Sequence, residues 1–124
     1  MKSKIAYICH PIAGDEMGNM DKIIKIIREI NLNYPTIVPF APYIADLLAM
    51  NDGIPNERCI ALGNCIKILS SGIINELWIY GERISGGMQA EIEMADRQGV
   101  PIVLMDPKTI VPANLLHKIN IGFK

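Results

Sequence analysis

The chain has 124 residues, of which 50% are hydrophobic and 20% are charged. This length fits one compact domain, so we expect residues 1–124 to form a single domain, without a second, substrate-binding domain. The 12 Lys and Arg residues against 13 Asp and Glu residues give a formal net charge of -1. A chain with this net charge does not have the broad positive surface of a non-specific nucleic-acid binder. We therefore expect no nucleic-acid partner.

The cysteines and histidines argue against two kinds of site. Cys9, Cys59 and Cys65 form an odd set without CxxC spacing, and the chain has only two histidines. We therefore expect neither a disulfide framework nor a metal site, and no cofactor. The sequence shows no signal-peptide core and no apolar stretch near the ~20 residues that a membrane span needs. We expect a soluble, cytoplasmic protein without membrane association.

The first part of the chain alternates between strand-like and helix-like segments. Residues 4–9 are a short, apolar, β-branched run, typical of a strand that is buried on both faces. Four isoleucines at helical spacing then predict a helix over about 20–30, with Asn19 as its N-cap. Residues 36–38 predict a second strand, which Pro39 ends because proline cannot donate to a sheet ladder.

The second part continues this alternation, with turn residues between the segments. The predicted elements are a short helix at 43–50, a helix from about 55 to 71, a strand at 76–80, a helix from about 88 to 98, a strand at 101–105, and a short helix and weak strand within 112–123. Strands that alternate with helices indicate a parallel sheet covered on both faces. The sequence therefore predicts a small Rossmann-like α/β sandwich.

Two glycine-bearing loops are the candidate ligand sites, because such sheets bind ligands beyond the C-terminal ends of their strands. The loop over residues 9–19 is long and lets a sugar or phosphate approach its backbone ahead of a helix. An ordinary loop with turn glycines is the alternative, since the spacings of a dinucleotide fingerprint and of a P-loop are both absent.

The loop over residues 81–88 places glycines and the Ser85 hydroxyl before a helix, whose free N–H groups and dipole favour an anion. We expect Glu91 in the first turn, held ionised by the helix terminus and able to attack an electrophilic carbon. The alternative is a glutamate that only complements the helix dipole.

Four other side chains have simpler interpretations. His10 is an acid, a phosphate donor or a satisfied polar group of the loop, whereas His117 is expected at the surface. Cys59 and Cys65 lie on an apolar helical stripe and are interpreted as small hydrophobic residues. Trp78 alternates with apolar residues in a strand, which favours burial in the core or an interface over base stacking.

Short motifs in both loops carry a family resemblance. The segments Tyr7-Ile8-Cys9-His10-Pro11-Ile12-Ala13-Gly14, Ile84-Ser85-Gly86-Gly87-Met88-Gln89-Ala90-Glu91-Ile92 and Gly99-Val100-Pro101 resemble the nucleoside 2-deoxyribosyltransferase-like superfamily. This superfamily includes deoxynucleoside 5′-monophosphate N-glycosidases and uncharacterised phage and bacterial relatives. The phage-type relatives are the most similar, over about residues 4–105.

The resemblance implies a flavodoxin-like fold with a five-stranded sheet, a homodimer or higher homo-oligomer, and a nucleotide pocket. In that pocket Glu91 matches the nucleophile that attacks the anomeric carbon of a 2-deoxyribosyl group, and Tyr7 matches a tyrosine that supports it. Ser85 matches a phosphate-binding serine, and Gly14 falls in the sugar-binding loop. The residues expected to contact substrate are Cys9, His10, Pro11, Ile12, Gly14, Ser85, Gly86, Gly87 and Met88.

One departure from the superfamily bears on function. The aspartate that handles the proton of the leaving base is matched by Cys59 or Gly63, and neither performs carboxylate chemistry. The resemblance implies an N-glycosidase or deoxyribosyltransferase that acts on 2′-deoxynucleoside 5′-monophosphates through Glu91. The alternative is a non-catalytic binder that sequesters a nucleotide-derived signalling molecule, for example a phage anti-defence protein in the host cytoplasm.

Overall fold

A computed structural model describes residues 3–123. Strands and helices alternate along the chain, as the hydrophobic pattern predicts. The elements are β1 (Lys4–Cys9), α1 (Glu16–Asn33), β2 (Ile37–Phe40), α2 (Tyr43–Ala49), α3 (Pro55–Ser70), β3 (Glu76–Ile79), α4 (Gly86–Arg97), β4 (Ile102–Leu104), a 3₁₀ helix (Ala113–Lys118) and β5 (Asn120–Ile121).

All five strands are parallel and lie in the order β2-β1-β3-β4-β5. Because parallel crossovers are right-handed, the change of direction at β1 places α1 on one face of the sheet and α2, α3 and α4 on the other. In agreement, α3 packs against both α2 and α4. The predicted three-layer, flavodoxin-like α/β fold is confirmed. Its switch point lies between β1 and β3, where a ligand crevice is expected.

The first helix starts earlier than predicted. Asp15, and not Asn19, is its N-cap, and the Asp15 carboxylate accepts a hydrogen bond from Gly18 N at 3.1 Å. Asn19 lies inside α1 and its amide donates to Ile12 O at 3.0 Å. Asp and Asn side chains can both cap a helix N-terminus, but only one residue occupies the N-cap position. Asn19 instead holds the loop that precedes α1.

The second strand is also longer than predicted, because Pro39 lies inside β2 and pairs with Ala6 of β1. Proline is tolerated in an edge strand, where an N–H group on the outer side has no partner to lose. Since β2 is the edge of the sheet, Pro39 does not end it.

The core is centred on β1 and β3. Trp78 is only 6% exposed, its indole N–H donates to Glu76 Oε1 at 3.0 Å, and its ring meets Tyr34 edge to face. The core position predicted for Trp78 is therefore confirmed. No helix within residues 3–123 combines the length and apolar character needed to cross a bilayer.

The two cysteines of α3 have different environments, contrary to expectation. Cys65 is buried, whereas Cys59 is exposed. Residues six apart lie roughly 120° from each other around a helix axis, so a single apolar stripe does not bury both. His117 lies exposed on the 3₁₀ helix, as predicted.

Candidate functional site

A cavity of about 320 Å³ opens at the C-terminal ends of β1 and β3, bounded by α2, α3 and α4. Its position is the crevice that the sheet topology predicts. The lining residues are His10, Ile12, Ala13, Tyr43, Leu47, Asp52, Arg58, Ala61, Leu62, Cys65, Arg83, Ser85, Gly86, Gly87, Met88 and Glu91. Both predicted loops therefore contribute to one site.

Glu91 lines the closed end of the cavity, and Tyr7 and Cys9 lie directly behind its carboxylate. Tyr7 and Cys9 lie two residues apart on β1, so their side chains point to the same face of the sheet. The Tyr7 hydroxyl donates to Glu91 Oε2, and the Cys9 thiol donates to Glu91 Oε1 at 3.7 Å. All three side chains are buried, and Glu91 is 5% exposed. The structure thus holds both carboxylate oxygens of Glu91 from β1.

Burial raises the pKa of Glu91 to about 7, and the hydrogen bonds from Tyr7 and Cys9 oppose this rise. The expectation that the helix terminus holds Glu91 ionised is wrong. Because α4 begins at Gly86, Glu91 lies in the second turn and not the first. A helix dipole acts within the first turn and contributes about 0.3–1 kcal/mol. A rise of this size in pKa corresponds to about 3 kcal/mol, so desolvation dominates.

Tyr7 and Cys9 remain protonated donors at neutral pH. Burial, together with the neighbouring Glu91, raises the pKa of both groups well above their usual values. Cys9 does not line the cavity, and its thiol faces Glu91; its contact with substrate stays a prediction. Cys65 does line the cavity, and burial raises its pKa to about 12, which leaves it a neutral thiol.

The mouth of the cavity consists of Asp52, Arg58, Arg83 and the N-terminus of α4 at residues 85–87. Ser85 caps α4, with its hydroxyl accepting from Met88 N at 3.3 Å. The N–H groups of Gly86 and Gly87 have no acceptor within the helix, as is usual for a first turn. This terminus can therefore bind an anion, as predicted.

Three charged residues of the mouth were not predicted from the sequence, namely Asp52, Arg58 and Arg83. Arg58 Nε donates to Asp52 O at 3.1 Å and lies 3.9 Å from the Asp52 carboxylate. Arg83 donates to Ala13 O at 3.3 Å. Ala61 and Cys65 follow Arg58 by three and seven residues, so the three side chains lie on one face of α3. This spacing is the sequence signal by which Arg58 could have been predicted as a cavity residue.

One wall of the cavity is apolar and is supplied by Tyr43, Leu47, Ala61 and Leu62. The Tyr43 hydroxyl is turned away to Ile8 O, to which it donates at 2.6 Å. The wall is therefore suited to a flat heterocycle, whose faces are apolar.

Two predicted contact residues, Pro11 and Gly14, do not line the cavity. Pro11 is buried against Gly81, where an added Cβ would lie 2.5 Å from Pro11 Cδ. Gly14 has a φ of 97° and faces open space. Both residues belong to the loop after β1, and their contact with a ligand stays a prediction.

The positions matched to the aspartate of the superfamily are also outside the cavity. Cys59 and Gly63 are both exposed on α3. The side of α3 that faces the cavity carries Arg58, Ala61, Leu62 and Cys65 and no carboxylate. Asp52, in the loop before α3, is the carboxylate that lines the cavity besides Glu91.

Residues 4–105 match the family described as a domain of unknown function, DUF7768. The chain belongs to this family. No curated protein matches the chain. The DUF7768 domain thus spans β1 to β4 and contains every residue that lines the cavity.

Among solved structures, the chain is similar to the 2-deoxyribosyltransferase of the psychrotolerant bacterium Bacillus psychrosaccharolyticus, described as a biocatalyst for nucleoside synthesis. The TM-score is 0.64 at 14% sequence identity, covering 97% of this chain and 86% of that structure. This likeness confirms the fold that the family resemblance implies.

Proposed function

We propose that this DUF7768 protein is an N-glycosidase or deoxyribosyltransferase that acts on 2′-deoxynucleoside 5′-monophosphates. The observation that carries the proposal is Glu91, a buried carboxylate held by Tyr7 and Cys9 at the closed end of a ligand-sized cavity. Its pKa of about 7 leaves a substantial ionised fraction at neutral pH. A carboxylate with little hydration and a fixed orientation is suited to nucleophilic attack.

In the proposed reaction a Glu91 oxygen forms a bond to C1′ of the sugar while the bond from C1′ to the base nitrogen breaks. The electron pair of that bond leaves with the base, which then takes up a proton. Water, or a second base, attacks C1′ of the glycosyl ester and releases Glu91. Tyr7 donates to the carboxylate before and after this covalent step.

The remaining surfaces of the cavity fit the other parts of such a nucleotide. The apolar wall formed by Tyr43, Leu47, Ala61 and Leu62 accepts the base. The N-terminus of α4, with the guanidinium groups of Arg58 and Arg83 beside it, attracts the 5′-phosphate. A phosphate at the mouth and a sugar at the closed end would place C1′ near Glu91.

The helix α3 presents no acidic proton donor to the leaving base in this arrangement. Cys59 and Gly63 are exposed and do not line the cavity, and the Asp52 carboxylate lies 3.9 Å from Arg58 Nε. Because a general acid contributes about 10²–10⁴ in rate, we propose that turnover is slow and favours bases that leave easily.

The decisive experiment incubates the protein with each 2′-deoxynucleoside 5′-monophosphate and measures free base by chromatography. Wild type is expected to release base, and Glu91→Gln is expected to lose at least about 10³-fold in rate while still binding nucleotide. Glu93→Gln is the matched control, since Glu93 is an exposed glutamate on the same helix. No base release from any monophosphate over hours would contradict the catalytic proposal.

A second candidate function is a binder that sequesters a nucleotide-derived signalling molecule, as a phage anti-defence protein would in the host cytoplasm. The observation that favours it is the α3 face, which offers no acid to the leaving base. In this function Glu91 accepts a hydrogen bond from the ligand, and Glu91→Gln weakens affinity. Nucleotide binding without base release would support it.

We also propose that a second copy of the chain completes the site. The mouth is open to solvent, and Leu48 and Ile60 are 74% and 47% exposed beside the cavity residues Leu47 and Ala61. Two-fold dimers are the commonest closed assembly. Light scattering should show a dimer or larger oligomer at micromolar concentration. A monomer that still binds nucleotide would contradict this proposal.

A further inference from the structure

Asp52 is a carboxylate of the cavity that the proposed mechanism does not use. It lies in the loop between α2 and α3, lines the cavity, and has a side chain that is only 12% exposed. Its backbone carbonyl accepts from Arg58 Nε at 3.1 Å, whereas its carboxylate lies 3.9 Å from the same nitrogen, beyond hydrogen-bond range. No hydrogen bond to this carboxylate occurs within residues 3–123. A carboxylate with so little contact with water needs donors, and a ligand in the cavity can supply them.

The loop that carries Asp52 is held in place by hydrogen bonds. Asn51 N donates to Glu57 Oε1 at 3.2 Å, and Ile54 N donates to Asn51 O at 3.0 Å. The Asn51 side chain also accepts from Gly53 N at 2.9 Å. Because Glu57 belongs to the first turn of α3, these bonds fix the position of Asp52 relative to that helix.

The place of Asp52 in the cavity follows from α2 and α3. These two helices supply the apolar wall, and the loop of Asp52 joins them. Cys65, which interacts with the Tyr7 hydroxyl at the closed end, lies two helical turns, or about 10 Å, after Arg58. Asp52 therefore lies at the mouth end of the apolar wall, away from Glu91.

We infer that the Asp52 carboxylate accepts hydrogen bonds from the base of the nucleotide and selects guanine. This inference rests on the proposed function, in which the sugar lies against Glu91 and the base against the apolar wall. The Watson–Crick edge of a base is directed away from the glycosidic bond, which here means towards the mouth. Guanine has two adjacent donors on this edge, N1–H and the 2-amino group, and a carboxylate accepts two parallel N–H bonds. Adenine, cytosine and thymine each offer a single donor group there.

The test compares 2′-deoxyguanosine 5′-monophosphate with 2′-deoxyinosine 5′-monophosphate by titration calorimetry. The two nucleotides differ only in the 2-amino group, so the ratio of their affinities cancels the contributions of sugar and phosphate. Wild type should bind the guanine nucleotide about 10- to 100-fold more tightly, the range of one hydrogen bond to a charged group.

Three variants assign this preference to one side chain. Asp52→Ala should bind both nucleotides about equally, and Asp52→Glu, which keeps the carboxylate, should recover part of the preference. Glu57→Gln is the matched control and should keep the full preference, because Glu57 is a neighbouring carboxylate that does not line the cavity. Thermal melting of each variant shows whether it is folded.

Equal affinity of wild type for both nucleotides, or an undiminished preference in folded Asp52→Ala, would overturn the inference. Failure of the proposed reaction gives a different result: no base is released, yet the preference for guanine remains and depends on Asp52. If base is released while the preference is absent, the reaction stands and Asp52 does not contact the base. Absence of binding by both nucleotides would also overturn the inference.

Discussion

The closed end and the mouth of the cavity place their carboxylates in opposite environments. Glu91 at the closed end is buried, has no basic partner within the described residues 3–123, and has its pKa raised to about 7. Asp52 at the mouth lies 3.9 Å from the guanidinium group of Arg58, whose side chain is 55% exposed. Both are acidic side chains lining one cavity, but Glu91 is removed from water, whereas Asp52 lies beside a counter-charge.

We expect the closed end of the cavity to determine the reaction rate and the mouth to determine the affinity for the ligand. Interactions at the closed end are protected from water and salt, so changes there should alter rate and pH dependence. Interactions at the mouth are partly solvated, so changes there should alter affinity by smaller, salt-dependent amounts. The following predictions test this division, beginning with the largest expected effect.

Replacement of Tyr7 by Phe should reduce base release by about 10²-fold, the loss expected when a reacting group is misplaced by ~1 Å, because the Tyr7 hydroxyl fixes the orientation of Glu91. The Tyr7 hydroxyl lowers the pKa of Glu91, so its loss should also move the pH at half-maximal rate upward. The measurement is the rate of base release against pH. Tyr34→Phe, on a half-exposed tyrosine away from the cavity, is the control. An unchanged pH profile would contradict the role of Tyr7.

The raised pKa of Glu91 should also appear in the stability of the fold. Folded Glu91 holds its proton up to about pH 7, whereas the unfolded group titrates near 4.5. Its contribution to stability is complete below the lower value, falls as pH rises between the two, and is absent above the upper value. The expected loss is about 3 kcal/mol across this window. Activity should change in the opposite direction, because the nucleophile must be ionised.

Urea unfolding of wild type and Glu91→Gln at several pH values between 5 and 8 measures this contribution. The glutamine variant cannot ionise, so its stability relative to wild type should increase with pH. The difference in unfolding free energy between Glu93→Gln and wild type should stay the same across this pH range, since Glu93 is exposed. Parallel curves for wild type and Glu91→Gln would show that Glu91 titrates normally in the folded protein.

The sequence was sufficient to predict the fold and the elements that carry the site. Alternating apolar segments predicted the parallel sheet, and the glycines near Ser85 marked a helix start at the cavity. The protonation of Glu91 was not predictable, because it depended on where α4 begins and on how deeply β1 covers the side chain. The helix start was predicted two residues late, but burial of the side chain, and not this error, determines the sign of the pKa shift.

The mouth was less predictable for a different reason. Arg58 and Asp52 are ordinary polar residues in sequence, and only the packing of α3 against α4 brings them to the cavity. The hydrogen bond from Cys9 to Glu91 was likewise not predictable, because a strand residue next to a ligand loop can point either into the cavity or towards the helix behind it. Local patterns identify elements, whereas tertiary contacts decide which side chains meet.

Within the mouth, Ser85→Ala should weaken the binding of a monophosphate by about 1.5–3 kcal/mol if the hydroxyl contacts the phosphate through a charge-assisted hydrogen bond. The variant also loses an N-cap, so stability should fall by about 0.5–2 kcal/mol. Comparing deoxynucleosides with their monophosphates by calorimetry isolates the phosphate contribution. Equal affinities for the two ligand classes, or an unaffected monophosphate affinity in Ser85→Ala, would refute the phosphate assignment.

The smallest effects should come from the two arginines. Arg83 and Arg58 are exposed, so Arg83→Gln or Arg58→Gln should each weaken monophosphate binding by only about 0.2–1 kcal/mol. The loss should shrink as salt is raised from 50 to ~500 mM, because the Debye length falls below ~10 Å over this range. Deoxynucleoside affinity should not change in Arg83→Gln. Lys67→Gln, on the exposed side of α3, is the matched control for charge. A loss that persists at high salt would mean that the bound phosphate is buried, and the mouth would then belong to the water-excluded part of the site.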